Sequence, residues 1–188
     1  GKGMVIIKQF DHSDHVAEEM AMLYQAVWQK EEDDFFERIQ KHANYDGFLG
    51  IVAYSDTNEC IGFAYGYKSE DGQYYRGLLE QELTVEEANE WLTDCFEFVE
   101  LLVHPSYRGN GLGKRLLEKL VNNCSMKTSV LTTKASNLVA QALYAKSGWV
   151  VVKENFFPSA NDGPYVIMGK DLRREELVSK LIQEGKEK

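Results

Sequence analysis

Phe96-Glu97-Phe98-Val99-Glu100-Leu101-Leu102-Val103 runs through His104-Pro105-Ser106-Tyr107 into Arg108-Gly109-Asn110-Gly111-Leu112-Gly113-Lys114-Arg115, and this stretch decides the fold. Its first eight residues read as a strand, and Pro105 ends it because proline has no N–H to continue a ladder. From Gly111 to Asn123, Leu112, Leu116, Leu117 and Leu120 recur at helical spacing, so a helix follows the glycines. Strand, glycine loop, helix is a phosphate-binding arrangement. Glycines let backbone N–H groups approach a ligand, and a helix N-terminus adds the positive end of its dipole. Arg108, Lys114 and Arg115 add fixed positive charge at the same place.

Spacing separates the families that use such loops. A P-loop needs glycine five residues before Gly113, where Arg108 stands, and a hydroxyl after Lys114, where Arg115 stands. A dinucleotide fingerprint needs Gly-x-Gly-x-x-Gly near the start of a chain, whereas Gly109-x-Gly111-x-Gly113 is one residue short and late. The pattern Arg/Gln-x-x-Gly-x-Gly/Ala is met by Arg108 to Gly113, after a strand ending Leu-Val-His-Pro, and it resembles the acetyl-CoA site of the GNAT superfamily of N-acetyltransferases. A second motif is independent of the first. GNAT proteins carry Asn and then Ala-x-x-Leu-Tyr-x-x-x-Gly-Phe on the next helix, and Asn137, Ala140, Leu143, Tyr144, Gly148 and Trp149 occupy those places. Trp149 replaces the usual Phe. The match is close over residues 96 to 150 and looser before it.

The resemblance implies a single acetyltransferase domain over residues 4–172, α+β in class, with a mixed, mostly antiparallel sheet of six or seven strands and helices on both faces. Backbone groups of Leu101, Leu102 and Val103 would pair with the pantetheine arm. Arg108, Gly109, Asn110, Gly111, Leu112, Gly113 and Lys114 would hold the pyrophosphate. Asn137 would bond the pantetheine amide, and as a residue ahead of a helix it also suits an N-cap. Tyr144 would be the general acid that protonates the departing thiolate; a tyrosine packed on a helix face is the plainer reading. An amine of ordinary pKa is mostly charged at neutral pH, so transfer needs a base, direct or through water. Glu97 and Glu100 are the candidates. Three residues apart, they lie on opposite faces of a regular strand, and only one can look into the site unless a bulge intervenes. Glu97 is preferred by position, with Glu100 the alternative. No cysteine lies in either motif, which favours direct attack in a ternary complex over an acyl-cysteine route.

Elsewhere the chain reads as alternating elements. Val5 to Phe10 is a strand, and Ser13 opens a helix with Val16, Met20, Leu23 and Val27 on one face. Glu31 to Ala43 reads as a second helix. Phe48 to Tyr54 and Cys60 to Tyr67 form a hairpin. Residues 68 to 94 are an insertion with one short helix, opened by the capping box Thr84 to Glu87. Val130 to Thr132 centres a strand, Asn137 to Ser147 is a helix, and Trp149 to Lys153 and Tyr165 to Leu172 close the sheet. A charged helical tail of 173–188 follows.

The 188 residues, 44% apolar and 27% charged, suit one packed core. Gly1-Lys2-Gly3 is read as an addition ahead of Met4 and set aside. With no leader and no run of roughly 18 apolar residues, a cytoplasmic protein without a membrane partner is expected. Cys60, Cys95 and Cys124 form no CxxC pair and are read as reduced, and no metal site is signalled. The net charge of −9 is unevenly spread: residues 1 to 100 carry 7 Lys/Arg against 22 Asp/Glu, and the remainder 14 against 8. An acidic front half opposes nucleic acid and favours a cationic acceptor, while the basic back half suits a polyanionic cofactor. Tyr65, Tyr67, Tyr74, Tyr75 and Trp91 could wall such an acceptor. A small-molecule amine is therefore the expected partner; a protein N-terminus or lysine, a non-catalytic acyl-CoA-binding module and a homodimer remain open.

Overall fold

The computed structural model describes residues 3–29 and 34–187, the side chains of 174–179 and 187 excepted. The elements are β1 (Ile6–Gln9), α1 (Asp14–Trp28), α2 (Phe35–His42), β2 (Leu49–Tyr54), β3 (Cys60–Lys68), α3 (Tyr74–Glu82), α4 (Val85–Trp91), β4 (Cys95–Val103), α5 (Leu112–Asn122), β5 (Thr128–Lys134), α6 (Leu138–Lys146), β6 (Val150–Phe156), β7 (Tyr165–Asp171) and α7 (Leu172–Glu187). Among the described residues seven strands join in the order β1-β2-β3-β4-β5-β7-β6. The β4–β5 pair is parallel, whereas β1–β2, β2–β3, β5–β7 and β6–β7 are antiparallel. This is the mixed, mostly antiparallel α+β sheet expected. Among the described residues no helix is long and apolar enough to cross a membrane. The Glu31–Asp33 start of the expected second helix lies outside the described residues; its visible part is α2.

Contacts divide the chain into two compact units, the first comprising residues 1–67 and 98–124. Ser13 accepts a hydrogen bond from the Val16 N–H and caps α1, as the sequence suggested. The inward stripe of α1 buries Ala17, Met20, Leu23 and Tyr24 beside Phe35 and Ile39 of α2 and Phe63 and Tyr65 of β3. Phe35 stacks on Tyr24 with ring centroids 4.7 Å apart. Full burial of a side chain such as Phe35, Met20 or Ile39 contributes about 1.5–3 kcal/mol each. Leucines 112, 116, 117 and 120 of α5 are buried, as their spacing predicts. Gly62 permits the close approach of that helix to β3: an added Cβ would stand 3.0 Å from the Leu102 carbonyl oxygen and 3.2 Å from Leu116 Cδ1.

The second unit comprises residues 68–97 and 125–188. Its core joins Leu79, Leu83 and Leu92 of the insertion to Cys95, Val130, Phe156 and Ile167 of the strands. The capping box forms as expected, with Thr84 and Glu87 each accepting from the other's backbone N–H. The insertion carries a further helix, α3, which its sequence did not announce. Gly77 interrupts the helix propensity there, and α3 is tied down instead by Arg76, which donates to Glu80 Oε1 at 2.7 Å and to the Ser69 carbonyl oxygen at 2.9 Å. The apolar seam at α4 is tight, and Trp91 ring carbons lie 2.6 Å from where a Cβ on Gly169 would stand.

Candidate functional site

In the first unit, the end of β4 and the start of α5 bring the glycine motif together. Val103 ends β4, the His104 N–H donates to the Ile61 carbonyl oxygen at 2.7 Å, and Pro105–Tyr107 forms a single tight turn. Arg108 then folds back, its Nε 3.3 Å from the Val103 carbonyl oxygen. Gly109 and Gly111 have φ of 83° and 80°, the left-handed region that a side chain would strain, and a Cβ at either would meet no atom within 4 Å. The glycines therefore line open space. Gly111 is the N-cap of α5 and no side chain caps that helix, so the first-turn N–H groups of Leu112, Gly113 and Lys114 face an end that a side chain does not occupy. An uncapped, glycine-lined helix start flanked by exposed Arg108, Lys114 and Arg115 fits an anionic pyrophosphate.

Leu102 is buried and Leu101 and Val103 half-buried on the strand before it. Glu100 is half-buried and acts on Arg38 of α2. Burial opposes the Arg38 charge, but Tyr65, Tyr24 and Glu100 outweigh it and hold the guanidinium above its ordinary pKa. Arg38 also lies over the Tyr24 and Phe35 rings, 5.2 and 5.1 Å from their centroids. Tyr65 is fully buried and its hydroxyl is 2.8 Å from His42 Nδ1. Burial, and then the Arg38 and Lys41 charges, lower the His42 pKa to about 4, so the ring is neutral at physiological pH. Of the aromatic residues named as acceptor walls, Tyr65 and Tyr67 are buried here.

In the second unit, Asn137 takes the N-cap role, its Oδ1 accepting from the Ala140 N–H at 3.1 Å. Tyr144 sits two turns along α6 and is buried, with its ring 6.0 Å from that of Trp149. The C-terminal end of α6 is held by Gly148 at φ 91° and by the buried Lys170, which donates to the Ser147 carbonyl oxygen at 2.7 Å. Glu97 is buried. Its strand pairs with β5 from Cys95↔Thr128 to Glu97↔Val130, three residues of each strand among those described. The two glutamate charges thus bear on different groups: Glu100 on Arg38, and Glu97 on Tyr75 of α3. Tyr74 is exposed, whereas the Tyr75 hydroxyl lies 2.8 Å from Thr132 Oγ1. The cluster of Arg38, His42 and Tyr65 and the Tyr75–Thr132 pair carried no motif in the sequence; an aromatic or charged residue inside an apolar periodic stretch was the available signal. All three cysteines are free thiols, and among the described residues no group of three or more His, Cys, Asp and Glu side chains is placed to hold a metal ion.

The model of the acetyltransferase (GNAT) family matches residues 13–149. Among solved structures, a GNAT acetyltransferase from Staphylococcus aureus superposes with TM-score 0.64 at 16% identity, covering 90% of this chain and 99% of that one. An aminoglycoside 6'-N-acetyltransferase complexed with coenzyme A superposes with TM-score 0.63 at 20% identity, covering 88% and 96%. The NatC complex bound to Gag peptide and CoA contains a chain that superposes with TM-score 0.65 at 17% identity, covering 89% and 98%. At these identities the likeness is one of fold. No curated protein sequence matches the chain. The family model spans most of the sequence and both motifs, and the chain belongs to the acetyltransferase (GNAT) family.

Proposed function

We propose that this protein, acting as one domain over residues 4–172 in the cytoplasm, transfers the acetyl group of acetyl-CoA to a primary amine of a small cationic molecule. The observation that supports it most is the open cradle of Gly109 and Gly111 at the uncapped start of α5, with Arg108 folded onto the Val103 carbonyl. Leu101, Leu102 and Val103 would hold the pantetheine through their backbone, and Arg108, Gly109, Asn110, Gly111, Leu112, Gly113 and Lys114 the pyrophosphate. Asn137 already caps α6 with its oxygen, and its amide N–H groups would serve the pantetheine. Bound acetyl-CoA supplies the activated acetyl group.

The residues of the chain supply the proton movements. Glu97 takes a proton from the acceptor ammonium: an N–H bond breaks, an O–H bond forms on the carboxylate, and the nitrogen lone pair is freed for attack. Glu100 is the alternative base, but its carboxylate acts on the Arg38 guanidinium, which favours a structural role for it. The free amine attacks the thioester carbonyl and forms the C–N bond. As the C–S bond breaks, Tyr144 gives its phenolic proton to the leaving sulfur, and the surplus proton on the new amide nitrogen passes through water to the phenolate. The acidic front half favours a cationic acceptor, of polyamine or aminoglycoside character. Likeness to an aminoglycoside acetyltransferase and to the NatC complex supports an amine acceptor in the broad sense.

Release of coenzyme A thiol from acetyl-CoA, measured with spermidine, kanamycin and a free-N-terminal peptide, tests this reading. Release with either small amine supports it; release with the peptide alone makes the protein a peptide acetyltransferase; tight binding of coenzyme A without release makes it a binding module. Tyr144→Phe keeps the ring and removes the donor. It should lower kcat by on the order of 100-fold with little change in acetyl-CoA affinity, because the proton matters in the transition state.

A further inference from the structure

The insertion between β3 and β4 carries none of the motif residues, yet it lays a polar side chain where β4 and β5 stop pairing. Glu97 and Val130 are the last pair of that ladder. Paired residues of adjacent strands share a face, and alternate residues of one strand do too. Glu97, Val130 and Thr132 therefore look out on the same side of the sheet. That side is covered by α3 and α4 and is otherwise apolar, lined by Leu79, Leu92, Cys95, Phe156 and Ile167. Onto it α3 brings Tyr75, whose hydroxyl is 2.8 Å from Thr132 Oγ1 and whose ring stands edge-on to Phe156. Burial, aided by the Glu97 charge and opposed by Thr132, pushes the phenol well above its ordinary pKa, so it stays a neutral O–H group. Polar atoms on an apolar face are costly unless partnered, and here the Glu97 carboxylate and the Tyr75 and Thr132 hydroxyls belong to one such face.

We propose that Tyr75, fixed by Thr132, is a positioning residue that holds the Glu97 carboxylate in the orientation from which it takes the proton of the acceptor ammonium. The inference gives the insertion a task in catalysis: α3, anchored by Arg76, delivers the phenol. It rests on the reading of Glu97 as the base.

The test uses acetyl-CoA with spermidine or kanamycin and follows thiol release for Tyr75→Phe, Glu97→Gln, the double variant, Thr132→Val and Thr132→Ser. Loss of one positioned hydroxyl should lower kcat about tenfold in Tyr75→Phe, with KM for acetyl-CoA unchanged. Thr132→Val should show a similar loss, and Thr132→Ser, which keeps the hydroxyl, should recover most of it. In the Glu97→Gln background the Tyr75 change should add nothing, because its effect passes through the missing carboxylate. Wild-type kcat in Tyr75→Phe, or the same fold-loss with and without Glu97, overturns the inference while leaving acetyl transfer intact. Full activity in Glu97→Gln removes the base assignment and the inference with it. No release with either amine from a wild-type protein that binds coenzyme A counts against the proposed function and the inference together.

Discussion

Replacing Lys170 by Met should loosen the helix that carries Asn137 and Tyr144. Lys170 is buried on β7, and its Nζ donates to the Ser147 carbonyl oxygen at 2.7 Å. Ser147 is the C-cap of α6, where the carbonyls at the end of the helix form the negative pole of its dipole. Gly148 turns away there with φ 91°, and the lysine stem packs beneath it, 3.5 Å from where a Cβ would stand. Met fills similar volume, so the stem packing is largely kept. What is lost is a hydrogen bond from a charged donor, about 1.5–3 kcal/mol, and a favourable charge at the helix terminus. Against this stands the relief of burying an ammonium group, which can offset the loss in whole or in part. The short bond, aligned with the helix pole, decides for a net loss of about 2 kcal/mol. For a chain of this size that corresponds to a fall in Tm of about 4–8 °C. Urea unfolding followed by circular dichroism, with m unchanged, is the assay. A Lys170→Met protein as stable as the wild type, or more so, would show that desolvation outweighs the cap and refute the reasoning.

Two further outcomes follow from the packing. His42 has its pKa lowered to about 4 by burial and by Arg38 and Lys41, while an unfolded histidine titrates near 6.5. Between those values the unfolded chain binds more protons, so this contribution is fully present above about pH 6.5 and is lost as pH falls toward 4. Discounted for the exposed part of the ring, it is roughly 1–2 kcal/mol; between pH 7.5 and 4.5 the wild type should lose more unfolding free energy than His42→Gln by that amount, and equal losses would contradict it. Gly169→Ala places a methyl 2.6 Å from the Trp91 ring and should cost about 1–3 kcal/mol in the same unfolding assay, whereas an unaffected midpoint would mean that the indole swings clear.

The glycine loop was legible because its requirement is local: positive φ at Gly109 and Gly111 and a helix whose leucines recur at 3.6-residue spacing. The Asn137 cap and the Thr84 capping box were legible for the same reason. Long-range placement was not. Nothing in the local pattern says that β7 inserts between β5 and β6, or that Tyr75 meets Thr132 from 57 residues away. Alternation along β4 separated Glu97 from Glu100 in principle, but the groups on which their charges bear, Tyr75 and Arg38, come from elements distant in sequence. Lys170 reads in sequence as a solvated strand residue, and only the arrival of the α6 terminus gives its charge a buried role.

Calorimetric titration of coenzyme A into the wild type and Gly111→Asp tests the central claim most directly. Gly111 faces open space at the start of α5, so an aspartate fits sterically, and aspartate tolerates a left-handed backbone better than most residues. It would put a carboxylate against the pyrophosphate and cap the very N–H groups that should receive it. Saturable binding to the wild type and loss of at least about tenfold in affinity in a folded Gly111→Asp protein is the expected result. Equal affinity in the two proteins would place coenzyme A elsewhere and contradict the account.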